Sequence, residues 1–218
     1  MILSTRRLAL AASIGPVLFV AIAIVMTVLE WDFLHRMGWH LVQDSSVPFP
    51  STTAMGPYGL LQTLNFIQFG LSVIALAAGL WRTVRPRPRV GIAFVALAGV
   101  AILLSMFTTD GTTNQPTTWH GTIHSLAFIL HLLTTLLGAV ALAVQLRNNA
   151  QWRSVARAAI GVPIAVIATF LLAGGVKQAG GLLSILSLLV IIGWYELLAL
   201  RLLSLAVKPL PAPSVQSM

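Results

Sequence analysis

Histidines at positions 120, 124 and 131 recur at helical spacing in an otherwise apolar stretch, and that spacing sets the chemistry open to them. At ~100° per residue all three share one helix face. His120 and His124 lie about 6 Å apart along the axis, so both could meet one metal ion or one carboxylate. His131, about 16 Å from His120, is too far for the same shell; it is a separate polar contact or the floor of a deeper cavity. With Asp110 as a third ligand the pair could hold a divalent metal such as zinc, and Glu30, Asp32 or His35 offer further donors. Such an ion would activate water for hydrolysis. Two alternatives stay open: the His pair as an interfacial polar patch, and Asp110 as a helix cap or a turn residue beside Gly111.

A second chemistry needs no cofactor. Asp110, Glu30 or Glu196 as a carboxylic acid could protonate an alkene or epoxide, with aromatic faces steadying the cation. Trp31, Asn65, Trp119, His131 and Tyr195 are then the candidate substrate-lining residues. Glu196 instead faces the interface if it turns toward Arg201 or Trp194. Gln62, Asn65 and Gln68 form a polar stripe that either lines a cavity or bonds neighbouring helices.

The elements that must position these residues are set by composition. Of 218 residues 57% are hydrophobic and 8% charged, so the solvent is mostly lipid. Six apolar runs are long enough for the ~30 Å hydrocarbon layer: Leu8 to Leu29, Gly59 to Trp81, Val90 to Phe107, His120 to Leu146, Val155 to Gly175 and Gly181 to Leu205. They lack the alternation of barrel strands, which predicts an all-α polytopic membrane protein of six transmembrane helices, one domain over residues 1–208. The first run reads as a retained anchor rather than a cleaved signal. Pro16 and Pro163 fall inside runs one and five as tolerated kinks.

Thirteen Lys and Arg against five Asp and Glu would in a soluble chain point to nucleic acid. Here the cations sit at the ends of apolar runs, which excludes that partner. Eleven of the thirteen, from Arg6 and Arg7 through Arg82 to Arg89, Arg147, Arg153, Arg157, Arg201 and Lys208, fall at one end of the predicted bundle, leaving Arg36 and Lys177 at the other. The positive-inside rule then predicts cytoplasmic termini in a bacterial plasma membrane. Glu30, Asp32, His35, His40, Asp44, Asp110, His120 and His124 collect at the outer end. The first outer loop, 30–58, opens on a segment rich in aromatic and charged residues; it reads as an interfacial lid, or Trp31 and Trp39 are anchors at headgroup level. Residues 209–218 read as a disordered tail.

The segment Phe107-Thr108-Thr109-Asp110, a polar loop, then Gly121-Thr122-Ile123-His124, resembles the six-helix membrane proteins of domain-of-unknown-function family 998. Pro57-Tyr58 through Asn65-Phe66 and Gly70-Leu71 is similar to the same family, although Thr108 stands where such proteins often have proline. The resemblance implies a six-helix fold with an outward Asp and His and implies no activity. Layout and scarcity of carboxylates are also similar to small membrane-bound terpene cyclases. The expectation is therefore an enzyme acting on a lipid or other hydrophobic small molecule, as an acid-initiated isoprenoid cyclase or a metal-dependent hydrolase. The competing class is a non-catalytic sensor or assembly subunit. Transport is disfavoured, because runs three and five carry almost no polar residues.

Overall fold

The computed structural model describes residues 4–42, 49–110 and 117–206. Asp44, Gly111, Lys208 and the tail 209–218 lie outside the described residues, as do the expectations placed on them. Seven α-helices follow in order: α1 Thr5–Leu29, α2 Trp31–Arg36, α3 Gly59–Thr83, α4 Arg89–Leu104, α5 Trp119–Leu146, α6 Arg153–Gly175 and α7 Gly180–Ala206. No strand occurs among the described residues, as backbone in lipid requires. Five of these helices, α1, α3, α5, α6 and α7, are long and apolar enough to cross a membrane. The chain is a multi-pass membrane protein.

Helix α4 corrects the expected third run, for it stops at Leu104 after 16 residues instead of reaching Phe107. Ser105, Met106 and Phe107 close a tight terminal turn on carbonyls of residues 101 to 104. That turn leaves the Phe107 carbonyl outside the helix ladder, available to a side chain.

Consecutive long helices pack side by side, and α7 returns against α1, so the long helices and α4 form a closed ring with α3 also touching α7. Close approach depends on missing side chains. A Cβ on Gly70 would sit 2.8 Å from the Gly99 carbonyl, and one on Gly99 would sit 3.0 Å from the Gly70 carbonyl, so α3 and α4 cross backbone to backbone. Pro16 and Pro163 remain inside continuous helices. Gly181 admits the His40 carbonyl at the start of α7, where the Leu182 N–H donates to the Leu41 carbonyl. Gly174 and Gly175, by contrast, face open space.

Two members of the polar stripe on α3 are spent on helix contacts, while Gln62 accepts from Asn65 and keeps a buried Nε2 without a hydrogen-bond partner. Asn65, fully buried, donates to the Phe19 carbonyl at 3.0 Å and Gln68 to the Gly15 carbonyl at 3.3 Å, with Gln68 also donating to Asn65. For Asn65 and Gln68 the burial of the amide is offset by a carbonyl of α1.

Contacts between connections define two ends. At one, Asn149 donates to the Arg85 carbonyl and Arg201 to the Gln151 carbonyl, while Arg87 lies over the Trp81 ring. This is the arginine-rich end. At the other, the Tyr58 N–H donates to Glu30, and a bond joins His124 to Ser51.

Candidate functional site

Around the start of α5 the chain builds two adjoining polar groups, an outer rim and a cavity wall. In the rim, Thr118 is the N-cap of α5: its hydroxyl accepts from the Gly121 N–H at 3.1 Å and donates to Asp110. Asp110 also accepts the Thr118 N–H at 3.0 Å. A Cβ on Gly121 would overlap the Asp110 carboxylate, so glycine there lets the acid lie against the first turn. The Thr118 hydroxyl bond, opposed by burial and aided by the Thr118 N–H and the nearby His120, holds the Asp110 carboxyl below its ordinary 3.8. Asp110 is thus bonded to the N-cap residue Thr118 and is not itself the cap. The Nδ1–H of His120 donates to the Thr108 carbonyl at 2.9 Å, tying the loop to the helix.

His124 lies one turn deeper and is 5% exposed. Its Nδ1 is 2.7 Å from the Phe107 carbonyl and its Nε2 is 2.8 Å from Ser51 Oγ. A carbonyl only accepts, so Nδ1 carries the proton and the Nε2 of the neutral ring accepts from the Ser51 hydroxyl. The carbonyl freed by the early end of α4 thus orients the imidazole, and the imidazole in turn holds the serine. Phe66 supports the ring edge-on at 6.0 Å.

Ser51 opens a short 3-10 turn, Ser51–Met55, after Pro50. It was not among the residues singled out from sequence: a serine within a run of Pro, Ser and Thr carries no periodic signal. Its partner is 73 positions away.

Ser51 and His124 share a cavity of about 380 Å³ walled chiefly by aromatic and aliphatic side chains, including Phe66, Phe69 and Phe128, with His131 and Ser187 on its polar side. That volume is in the range of small-molecule sites. His131 stacks on Tyr195 at 6.1 Å, and its Nε2 is buried without a hydrogen-bond partner. The Tyr195 hydroxyl bonds Thr135, whose own proton goes to the His131 carbonyl at 2.7 Å. A second cavity, about 390 Å³ and almost wholly apolar, lies between α1 and α7; the two share Phe19, Trp39, Phe49 and Leu188.

Gly38 sets the position of Trp39. Its φ of 93° is the left-handed conformation glycine favours, and the Trp39 N–H then reaches back to the Leu34 carbonyl while the Gly38 N–H reaches His35. This C-terminal cap of α2 folds the indole inward against Leu34. Trp39 is 1% exposed and stacks on Phe49 at 5.0 Å. It is therefore no headgroup anchor; Trp31 is 48% exposed.

The remaining sequence candidates disperse. Glu30, 2% exposed, accepts the Tyr58 N–H at 2.6 Å and fills the space left by Gly56, which fastens the end of α1 to the start of α3. Glu196 has a buried Oε2 with no hydrogen-bond partner, and Arg201 is engaged at the Gln151 carbonyl instead. Trp119 is largely exposed against Phe107 and His120. Of the five expected lining residues, His131 lines the polar-edged cavity and Trp31 the apolar one; Asn65, Trp119 and Tyr195 line neither. Among the described residues no three His, Cys, Asp or Glu side chains are grouped to hold a metal ion, so the ligand set Asp110, His120 and His124 is not assembled. The physical reason is that Asp110 turns to Thr118 while the two imidazoles turn to different carbonyls.

A family model described as "Protein of unknown function (DUF998)" matches residues 13–201. No curated protein and no solved structure matches the chain.

Proposed function

Taking as premise that the chain belongs to the DUF998 family of membrane proteins, we propose that it is a membrane-embedded acyl-ester hydrolase acting on lipid, with Ser51 as nucleophile and His124 as general base and acid. One observation carries this reading: a serine hydroxyl 2.8 Å from the unprotonated nitrogen of a carbonyl-oriented imidazole, both lining a largely apolar cavity. A serine is a weak nucleophile until a base within hydrogen-bond reach takes its proton, and that base must be held in one tautomer by a third group. Here the Phe107 carbonyl fills the orienting position that a carboxylate fills in the usual triad.

The reaction balances with the groups at hand. Ser51 Oγ bonds to the acyl carbon as its proton passes to His124 Nε2. The ester C–O bond breaks, and the leaving alcohol takes that proton. A water then attacks the acyl-serine, gives a proton to Nε2, and the proton returns to Ser51 Oγ as the carboxylic acid leaves. The aromatic wall keeps bulk water from the pair and receives the apolar part of the substrate.

Acid-initiated cyclisation fares less well. Asp110, Glu30 and Glu196 are absent from the lining of both cavities, so among the described residues no carboxylic acid faces the space where an alkene would lie. The arginine-rich end belongs on the cytoplasmic side by the positive-inside rule, with α4 making a sixth crossing and both termini inside; the Ser51 end then opens toward the outer half of the bilayer.

The test is turnover of fluorogenic acyl esters by purified protein in nanodiscs, with labelling of Ser51 by a lipophilic fluorophosphonate. Labelling at Ser51 that is lost in His124→Ala supports the reading. Full turnover by Ser51→Ala would remove it.

A further inference from the structure

The apolar cavity between α1 and α7 has no role in bond making, yet it adjoins the Ser51 cavity across a common wall of four residues, two of them the stacked pair Trp39 and Phe49. Several of its lining residues also face outward. Ile24 is 61% exposed and Val28 71%, both on α1, and Leu189 on α7 is 45% exposed. In a helix that crosses a membrane such residues face lipid, so the cavity opens sideways into the bilayer rather than to water. Thr27 is the one hydroxyl-bearing residue among the described lining residues, and that hydroxyl is already bonded to the Ala23 carbonyl at 2.7 Å. Among the described lining residues only the Trp39 indole N–H, in the wall shared with the Ser51 cavity, is left without a hydrogen-bond partner; the rest of the wall is apolar. The chemistry that fits is a long hydrocarbon chain.

We infer that the acyl chain of a membrane lipid ester enters between α1 and α7 and lies in this apolar cavity, while its ester group passes the Trp39–Phe49 stack to reach Ser51. This rests on the reading of Ser51 and His124 as the acyl-transfer pair and adds the substrate class, a long-chain acyl ester delivered from within the bilayer. Two further observations support it. Phe49 is two residues before Ser51, so the aromatic partition and the nucleophile ride on one short segment. Trp39 also holds a buried indole N–H with no hydrogen-bond partner, a group that an arriving carbonyl oxygen would satisfy once the stack shifts. Its position in the common wall places that donor between chain and serine.

Two measurements on the full-length protein in nanodiscs test the inference separately from the catalytic reading. In the first, palmitoyl and butyryl esters of one fluorogenic alcohol are compared in wild type, Ala23→Phe and Ile24→Trp, the first filling the cavity and the second blocking its lipid-facing mouth. The palmitoyl-to-butyryl ratio of kcat/KM falls about tenfold, because only the long chain uses the remote wall. An unchanged ratio in well-folded variants overturns the chain site while the dependence on Ser51 stands. In the second, a diazirine-bearing fatty-acyl ester is photolysed in the Ser51→Ala protein, where no turnover is needed. Crosslinks concentrate on α1 residues 20–28 and α7 residues 185–192, and Ile24→Trp reduces them. Labelling spread evenly over the lipid-facing surface overturns the inference even if Ser51→Ala has already removed the hydrolase reading.

Discussion

His120 and His124 are one helical turn apart and indistinguishable by type, yet the rim and the cavity wall use them in opposite ways. At the rim, the side chains of Asp110, Thr118 and His120 bond to one another, to the Gly121 N–H and to the loop that precedes them, all within residues 108–121. In the wall, His124 reaches across the fold to Ser51 and presents that pair to a mostly apolar cavity. Local closure makes a cap, whereas long-range closure beside a cavity makes a candidate for chemistry. A polar residue type says little until the sequence distance of its partner is known.

The most damaging test of this contrast is turnover. Ser51→Ala and His124→Ala are each expected to lower ester hydrolysis by at least ~10³-fold, and the double variant little further, since groups acting as one unit are not additive. His120→Ala stays within a few-fold of wild type in the same assay. Loss of activity in His120→Ala equal to that in His124→Ala would erase the distinction. Next in size is the polar stripe below: Asn65→Leu leaves the Phe19 carbonyl without its side-chain donor and costs about 1–3 kcal/mol in reversible unfolding from mixed micelles. Thr118→Ala removes the α5 cap and costs about 1 kcal/mol by the same measurement, with unchanged turnover per folded molecule.

The smallest effect is one of pH. Because folding lowers the Asp110 carboxyl from 3.8, its stabilisation is present above that value and fades as pH falls through the lower folded value. Asp110→Asn is therefore expected to melt below wild type at neutral pH, and the gap in Tm to close in acid below 3.8. A gap that persists there would place the effect in packing against Gly121 rather than in charge.

Legibility followed the range of the interactions. Helix α3 is read from sequence as Gly59 to Trp81 and observed to Thr83, and α7 as Gly181 to Leu205 against Gly180 to Ala206, because hydropathy is a property of consecutive residues. The end of α4 was misplaced by three residues, since Met106 and Phe107 are apolar whether helical or not. At the site, His124 and His131 were visible as costly groups in a lipid-facing stretch. Ser51 was not, for hydroxyls are common in loops and nothing near it marks a partner. Gly38 offered a missed clue: a glycine after a short amphipathic segment is the ordinary signature of a helix end that turns its next side chain inward.

The brevity of α4 reaches beyond the protein itself. Sixteen residues rise only about 24 Å against a hydrocarbon layer of about 30 Å, so if α4 is the sixth crossing of the proposed topology, lipids bordering it would compress or the residues after Leu104 would sink. Such a thinning would lie over the segment that carries the Phe107 carbonyl. Headgroups and hydration water would then reach below their usual depth beside that carbonyl, and under the proposed hydrolysis this would shorten the path of a product to the aqueous phase.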